Sequence, residues 1–458
     1  MFKQGVAVVD AAAVVAAPGM IFAGLVVTVL ATWAIIWLLQ PLARPLGLLD
    51  FPTNGRKDHG QPTPVTGGLG MVLALTLFFL LVPLPMTQTK WAFILGAMIL
   101  VVVGLLDDRH DLRWWWRILA QVVAALVMIF MGEVRIEQLG RAFGFDDLSL
   151  GMLSVPFTVF ATVGLINAVN MIDGADGIAG TLVAAALLML AAAAWYAGNE
   201  PLGYVALAIL AVVVGFLMHN FPFPWRPKAR VFMGNAGSAF LGYSIAWISF
   251  RLTQNTGHPV SPVLALWLLP IPVMDCLVLI VRRFREGRSP FAAGRDHIHH
   301  MMRDAGFGAV RLTLTLAAFS LLAGLCVGQA MRVDIPDPLL LAGFLVLCAG
   351  WYWLTSERSR VDGFLAWLRR SPHFRSGIAS TTLATVSVPS ASNEALVSVA
   401  GDGTAGQQIF LLDGQADVVP DPCGVIGGMA AGNDEGMTPS EAGPLQGGDG
   451  AGYAGRVL

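Results

Sequence analysis

Apolar stretches of about 20 residues, the length a helix needs to cross a hydrocarbon core, recur along the first 354 positions between short polar connections. The pattern predicts roughly eleven spans, near 20–39, 66–85, 91–106, 115–131, 152–168, 179–197, 202–218, 236–252, 261–281, 311–330 and 338–354. Every second connection must then lie on one side of the membrane, which turns the basic residues into a test of orientation. Sixteen Lys and Arg fall in or beside the connections after the odd-numbered spans, whereas only Lys3, Lys90, Arg135, Arg141, Arg251 and Arg332 fall on the other side. Basic loops stay cytoplasmic, so the N-terminus is expected outside and the C-terminus inside. After residue 370 the chain turns to Gly, Ser, Ala, Asp and Thr with little helical periodicity. Such a segment buries too little apolar surface to offset its ordering entropy. The expected organisation is therefore an all-α, polytopic transmembrane bundle over 1–370 and a disordered cytoplasmic tail over 371–458.

Composition agrees with lipid as the solvent: 56% of the residues are apolar and 13% charged, against about 25% charged in an ordinary soluble domain. The net charge of -2 names no partner, and nothing marks the chain as a nucleic-acid binder. Of the four cysteines, Cys276, Cys326 and Cys348 lie inside apolar runs, which indicates neither a disulfide framework nor a zinc site.

Five unusual polar segments all belong to the inside connections or to the helix ends beside them. The first, over 55–68, reads GRKDHGQPTPVTGG. Its prolines and glycines forbid a regular helix, and Arg56, Lys57 and His59 are able to meet phosphate oxygens; a basic loop bound to anionic lipid is the alternative. The second is Asp107-Asp108-Arg109-His110-Asp111 at the inner end of the third span. Helical spacing puts Asp107 and Asp111 on one face, a carboxylate density that a hard cation such as Mg²⁺ would relieve. A solvated helix end with an Asp–Arg pair is the rival. The third, Asn167, Asn170, Asp173 and Asp176, steps by three and ends in DGADG. Three-residue steps drift about 60° each around a helix, so Gly174 and Gly177 are expected to break it. Unwound backbone at that depth lines a cavity.

The fourth segment, FMGNAGS from 232 to 238, places Asn235 where an amide oxygen could serve a cation or substrate, although glycine-mediated helix packing explains its small residues as well. The fifth carries Arg295, His297, His299 and His300 after a run of arginines. These are donors for a diphosphate, with His297 and His300 facing one way on a helix; zinc would require companion ligands that the spacing does not supply.

In order and spacing, PTPxxGG, DDxxD, NxxNxxDGxDG, MGxxGS and HIHH resemble the polyprenyl-phosphate N-acetylhexosamine-1-phosphate transferases over residues 20–354. The HIHH form is similar to the bacterial undecaprenyl-phosphate GlcNAc-1-phosphate transferases of the WecA type. The resemblance implies an eleven-span inner-membrane enzyme with a cytoplasmic active site. Its reaction would be UDP-N-acetylhexosamine plus undecaprenyl phosphate giving undecaprenyl-diphosphate-sugar and UMP, the first step of a cell-envelope polysaccharide such as O-antigen. It further implies Mg²⁺, with Mn²⁺ as substitute, and admits a homodimer. Carried over by position, Asp107, Asp108 and Asp176 are catalytic, and Asp108, Asp176 and Asn235 serve the metal. Lys57, His59, Asn170, Asp173, Arg295, His297, His299 and His300 bind substrate.

Two positions depart from that pattern. Asn235 stands where the family has a metal-binding Asp, and Gly294 where Asp is common. Loss of one negative charge weakens a site for a hard cation, so a weakened or inactive homologue is one competing reading. Transfer of phospho-MurNAc-pentapeptide is another. A transporter is the rival from outside the class, but transporters place their acids near the midplane, often within inverted repeats. Here the acids stand at helix ends.

Overall fold

The computed structural model describes residues 18–51, 61–82, 86–145, 148–254, 260–289, 294 and 296–370. The described residues all belong to one compact unit, which lies within Met1–Thr381. The expected tail over 371–458 lies outside the described residues.

The described part is helical apart from a two-stranded antiparallel ribbon, β1 (Leu49–Asp50) with β2 (Thr63–Pro64), that brackets residues 52–60. Helices occupy the predicted apolar runs, and three more, α2 (Ala43–Leu46), α12 (Ile298–Asp304) and α15 (Arg358–Arg370), lie outside them. The series opens with α1 (Pro18–Leu39), the single turn α2, α3 (Gly67–Leu81), α4 (Gln88–His110), α5 (Trp114–Phe130) and α6 (Ser154–Ile172). They continue through α7 (Ile178–Tyr196), α8 (Glu200–Asn220), α9 (Gly234–Thr253), α10 (Pro262–Leu268) and α11 (Pro270–Arg285). The series closes with α12 (Ile298–Asp304), α13 (Ala309–Arg332), α14 (Asp337–Thr355) and α15 (Arg358–Arg370). Among the described residues, seven helices are long and apolar enough to cross a membrane: α1, α4, α6, α7, α8, α13 and α14. The α10–α11 pair makes an eighth if it counts as one span.

The remaining segments read as spans depart from a plain crossing helix for separate reasons. The 261–281 segment is not one straight helix; α10 and α11 meet at 91°. Pro270 and Pro272 lack the N–H that would continue the ladder, and Leu269 between the helices leaves helical geometry at φ -127, ψ 55. Helices α3 and α5 are apolar but have only 15 and 17 residues. Helix α9 is long enough yet less apolar because it meets protein on every side: all residues from 236 to 250 are buried. Ser238 and Ser244 satisfy their hydroxyls on the carbonyls of Gly234 and Phe240, so polar residues there cost little.

Around this central helix the bundle grades from core to rim. In the apolar windows of α7 and α8, 61% of residues are buried, against 11% in α14, whose outer side shows Leu345 and Val346. Exposed Phe22, Leu80 and Phe160 continue the belt, an apolar perimeter far too extensive for water and suited to lipid. Close backbone approach fixes the inner helices: a Cβ on Gly68 would overlap the backbone of Gly237, and one on Gly104 that of Ala236. Hence α3 and α4 press directly on the first turn of α9, where the polar motifs gather.

Candidate active site

One cavity of about 1750 Å³ opens at the ends of these helices. Its walls bring together Asp107, Asp108 and Asp111 from the end of α4, Asn170, Asp173 and Asp176 from the α6–α7 break, Asn235 from the start of α9, and His300 from α12. Four of the five motifs thus supply wall residues, and Gln61 to Val65 of the proline-glycine segment line the cavity as well.

Each acid is held by a local feature of the chain. Helix α4 stops at His110, and Asp111 takes the left-handed conformation at φ 49. The shared helical face expected of Asp107 and Asp111 therefore does not form. Asp107 Oδ1 instead accepts the Leu112 N–H at 2.9 Å, while its Oδ2 lies 3.5 Å from Arg117. Asp108 reaches across to α9, accepting the N–H groups of Asn235 at 2.8 Å and Ala236 at 3.4 Å. A carboxylate suits the positive end of a helix dipole. Gly234, at φ 74, makes the approach feasible, because a Cβ there would stand 2.5 Å from Asp108 Oδ2.

The DGADG turn forms where the glycines predicted it, with α6 ending at Ile172 and α7 beginning after Gly177 at φ 78. Asn170 donates through Nδ2 to Asn235 Oδ1 and Ser238 Oγ, both at 2.9 Å, tying the third motif to the fourth. Asp176 accepts the Ala229 N–H at 2.9 Å. Burial, then the charges of Asp108 and Asp176, push the Asp173 carboxyl up to about 7. Asn167 turns elsewhere, donating to Gln121 Oε1 and the Val163 carbonyl.

The histidines divide their work. His300 lines the cavity. His297 precedes α12 and turns inward, its Nδ1 lying 2.8 Å from buried Asp275 Oδ2, while Asp275 Oδ1 accepts the Trp351 indole N–H at 3.3 Å. His297 and His300 therefore do not present one common face. His299 is fully buried, and among the described residues neither ring nitrogen has a hydrogen-bond partner. Burial, reinforced by His300, His297 and Arg303, holds its pKa well below the usual histidine range. Its Nε2 occupies the space that a Cβ on Gly174 would need. Gly174→Ala should accordingly displace a ring stacked between neighbours and cost about 1–3 kcal/mol in overpacking. Thermal unfolding in detergent checks this, and an unchanged midpoint would show that the histidine turn yields freely. Lys57, His59, Arg295 and the neighbouring Arg56 lie outside the described residues.

Several contributors carried no motif. Lys228 and Arg230, in the α8–α9 connection, and Arg303, one turn after His300, add positive charge to the walls. Buried Asn220 accepts the Gly177 N–H and donates to the Val231 carbonyl, both at 2.9 Å, joining the DGADG turn to that connection. An Asn ending an apolar helix was the available signal, although its partner is 43 residues away.

The family model described as glycosyl transferase family 4 matches residues 90–253. Undecaprenyl-phosphate alpha-N-acetylglucosaminyl 1-phosphate transferase of Escherichia coli K12 is 34% identical over 317 residues, covering 69% of this chain and 85% of the relative. The proteins of that name from Yersinia pestis and Haemophilus influenzae are 33% and 32% identical, covering 74% and 75% of this chain and 92% and 96% of theirs. The chain belongs to glycosyl transferase family 4.

For a family 4 site the donor set is informative. Among the described residues no three His, Cys, Asp or Glu side chains converge closely enough to hold a metal by themselves. Mg²⁺, however, is usually held by one or two carboxylates together with water and substrate phosphates. Asp108, Asp176 and the Asn235 amide around one open cavity are donors of that kind. Asp173 adds a further carboxyl to the same wall beside Asp108 and Asp176, so these residues fit the ion.

Proposed function

We propose that this family 4 member transfers GlcNAc-1-phosphate from UDP-GlcNAc to undecaprenyl phosphate, forming undecaprenyl-diphosphate-GlcNAc and UMP. The relatives' shared name supplies acceptor and sugar, and favours GlcNAc over a phospho-MurNAc-pentapeptide donor. The observation that carries the reading is the meeting of both aspartate motifs, Asn235 and His300 in one cavity at the helix ends. That placement suits a reaction between a membrane-held acceptor and a soluble donor better than a midplane conduction path.

In the net reaction an oxygen of the lipid phosphate becomes bonded to the sugar-bearing phosphorus, and the bond from that phosphorus to UMP breaks. Both reactants are anions, so positioning and charge neutralisation dominate the barrier. Lys228, Arg230, His300 and Arg303 supply positive charge and donors to the diphosphate. Asp107 and Asp108 serve the acceptor phosphate, while Asn170, Asp173 and Asp176 serve the nucleotide side. Mg²⁺, replaceable by Mn²⁺, would be held by Asp108, Asp176 and Asn235 and would neutralise developing phosphate charge. The eleven-span topology with the N-terminus outside, the inner-membrane location and the cytoplasmic cavity are parts of the same proposal, supported by the excess of Lys and Arg in the connections at the cavity end.

The test is UMP release by purified chain given undecaprenyl phosphate and, in turn, UDP-GlcNAc, UDP-GalNAc or UDP-MurNAc-pentapeptide across a Mg²⁺ titration. Release with UDP-GlcNAc supports the reading; release with the pentapeptide donor alone overturns it. A second titration concerns Asn235, whose Oδ1 is held by Asn170. Asn235→Asp adds a carboxylate beside Asp108 and should lower the Mg²⁺ concentration for half-maximal rate about tenfold, the lower end of the changes seen when a metal's surroundings are altered. An unchanged Mg²⁺ curve would remove Asn235 from the metal site.

A further inference from the structure

Helix α15, Arg358–Arg370, follows the membrane-crossing α14 after only Ser356 and Glu357. It stands at the cavity end of the bundle: Arg358 Nη2 lies 3.1 Å from Asp304 Oδ2 at the end of α12, the helix that carries His300 and Arg303. Its apolar residues form one broad stripe, of which only one edge meets protein. Val361 and Leu365 are 0% and 1% exposed, whereas Phe364 and Trp367 are 40% and 65% exposed. The two exposed rings stack with centroids 6.0 Å apart, and nearby Trp353 at the end of α14 is also exposed beneath the Arg360 guanidinium, 4.8 Å from its ring centroid. Arg358 also pairs with Asp362 at 3.3 Å and Arg360 with Glu357 at 2.6 Å, and the sequence adds Arg369 and Arg370, so the helix keeps four arginines against the single acid Asp362.

A water-facing helix would not leave a Phe and a Trp exposed side by side. A lipid-core helix would not carry four arginines. The combination of exposed aromatic edge, arginines and attachment to the end of a span matches the headgroup layer, where Trp sits at the boundary and Arg meets phosphate.

We propose that α15 lies in the headgroup layer at the cavity end of the bundle, with Phe364 and Trp367 inserted at the acyl boundary and its net positive charge drawing anionic phospholipid around it. The claim concerns the membrane surface and stands apart from the transfer reaction. It is tested with the full chain in nanodiscs of phosphatidylcholine and phosphatidylglycerol, carrying the photo-cross-linker p-benzoylphenylalanine at position 367 or, separately, at 364. Exposed Phe22 on α1 provides the control position. The expected result is cross-linking of 364 and 367 to phospholipid with phosphatidylglycerol enriched above its bulk share, and cross-linking of position 22 without that enrichment. Lipid adducts in bulk proportion at 364 and 367 would overturn the anionic contact. Adducts to protein, or none while position 22 reacts, would overturn the placement itself.

Discussion

Asp108→Asn is expected to lower turnover by about 10²–10³-fold, the range found when one preorganised electrostatic contact to a transition state is removed, while leaving the protein folded. The substitution keeps the shape of the side chain, and an amide oxygen can still accept the Asn235 N–H that Asp108 now holds at 2.8 Å. The start of α9 therefore keeps the shorter of its two bonds to this side chain and loses only the 3.4 Å bond from Ala236, and the close fit over Gly234 is preserved. What disappears is a negative charge beside Asp173 and Asp176. Turnover measured alongside thermal unfolding separates the two roles. Near-normal turnover would reduce Asp108 to a helix cap, and a large loss of thermal stability would show that the cap itself needs the charge.

Asp275→Ala is expected to cost about 1–3 kcal/mol, the usual penalty for leaving a buried hydrogen-bonding group unsatisfied, and to raise the KM for the nucleotide-sugar by loosening α12. Asp275 is only 5% exposed and supplies the acceptor for Trp351 and the partner for His297. Without it buried His297 at the α12 entry and half-buried Trp351 on α14 lose the acceptor they share. Asp275→Asn, which keeps an oxygen in place, should recover most of the stability. A melting profile of Asp275→Ala matching the parent chain would show that His297 is positioned by something else.

These residues also show how far the chain could be read in advance. The DGADG break was legible because glycine and three-residue spacing act locally, and the structure places it between Ile172 and Ile178. The convergence of the acidic motifs was legible because alternating spans put them at one end. Asp275 was not, since a lone acid inside an apolar run says nothing about partners 22 and 76 residues away. The histidine cluster misled for a related reason. Three adjacent imidazoles look like one binding surface, yet backbone direction sends His297 to Asp275, His299 beneath Gly174 and His300 to the cavity. Asp111 shows the limit of helical spacing, since the i, i+4 rule ends where the helix does. The bend between α10 and α11 had its cause in plain view at Pro270 and Pro272, but a hydropathy window averages across prolines.

The central claim is that the gathered motifs transfer a sugar together with its phosphate onto a lipid phosphate. It is tested most directly by giving the purified chain undecaprenyl phosphate and UDP-GlcNAc labelled with ³²P on the sugar-bearing phosphate. The account predicts that the label moves into the lipid phase while uridine leaves as UMP; label left in the water as UDP, with sugar alone on the lipid, would contradict it.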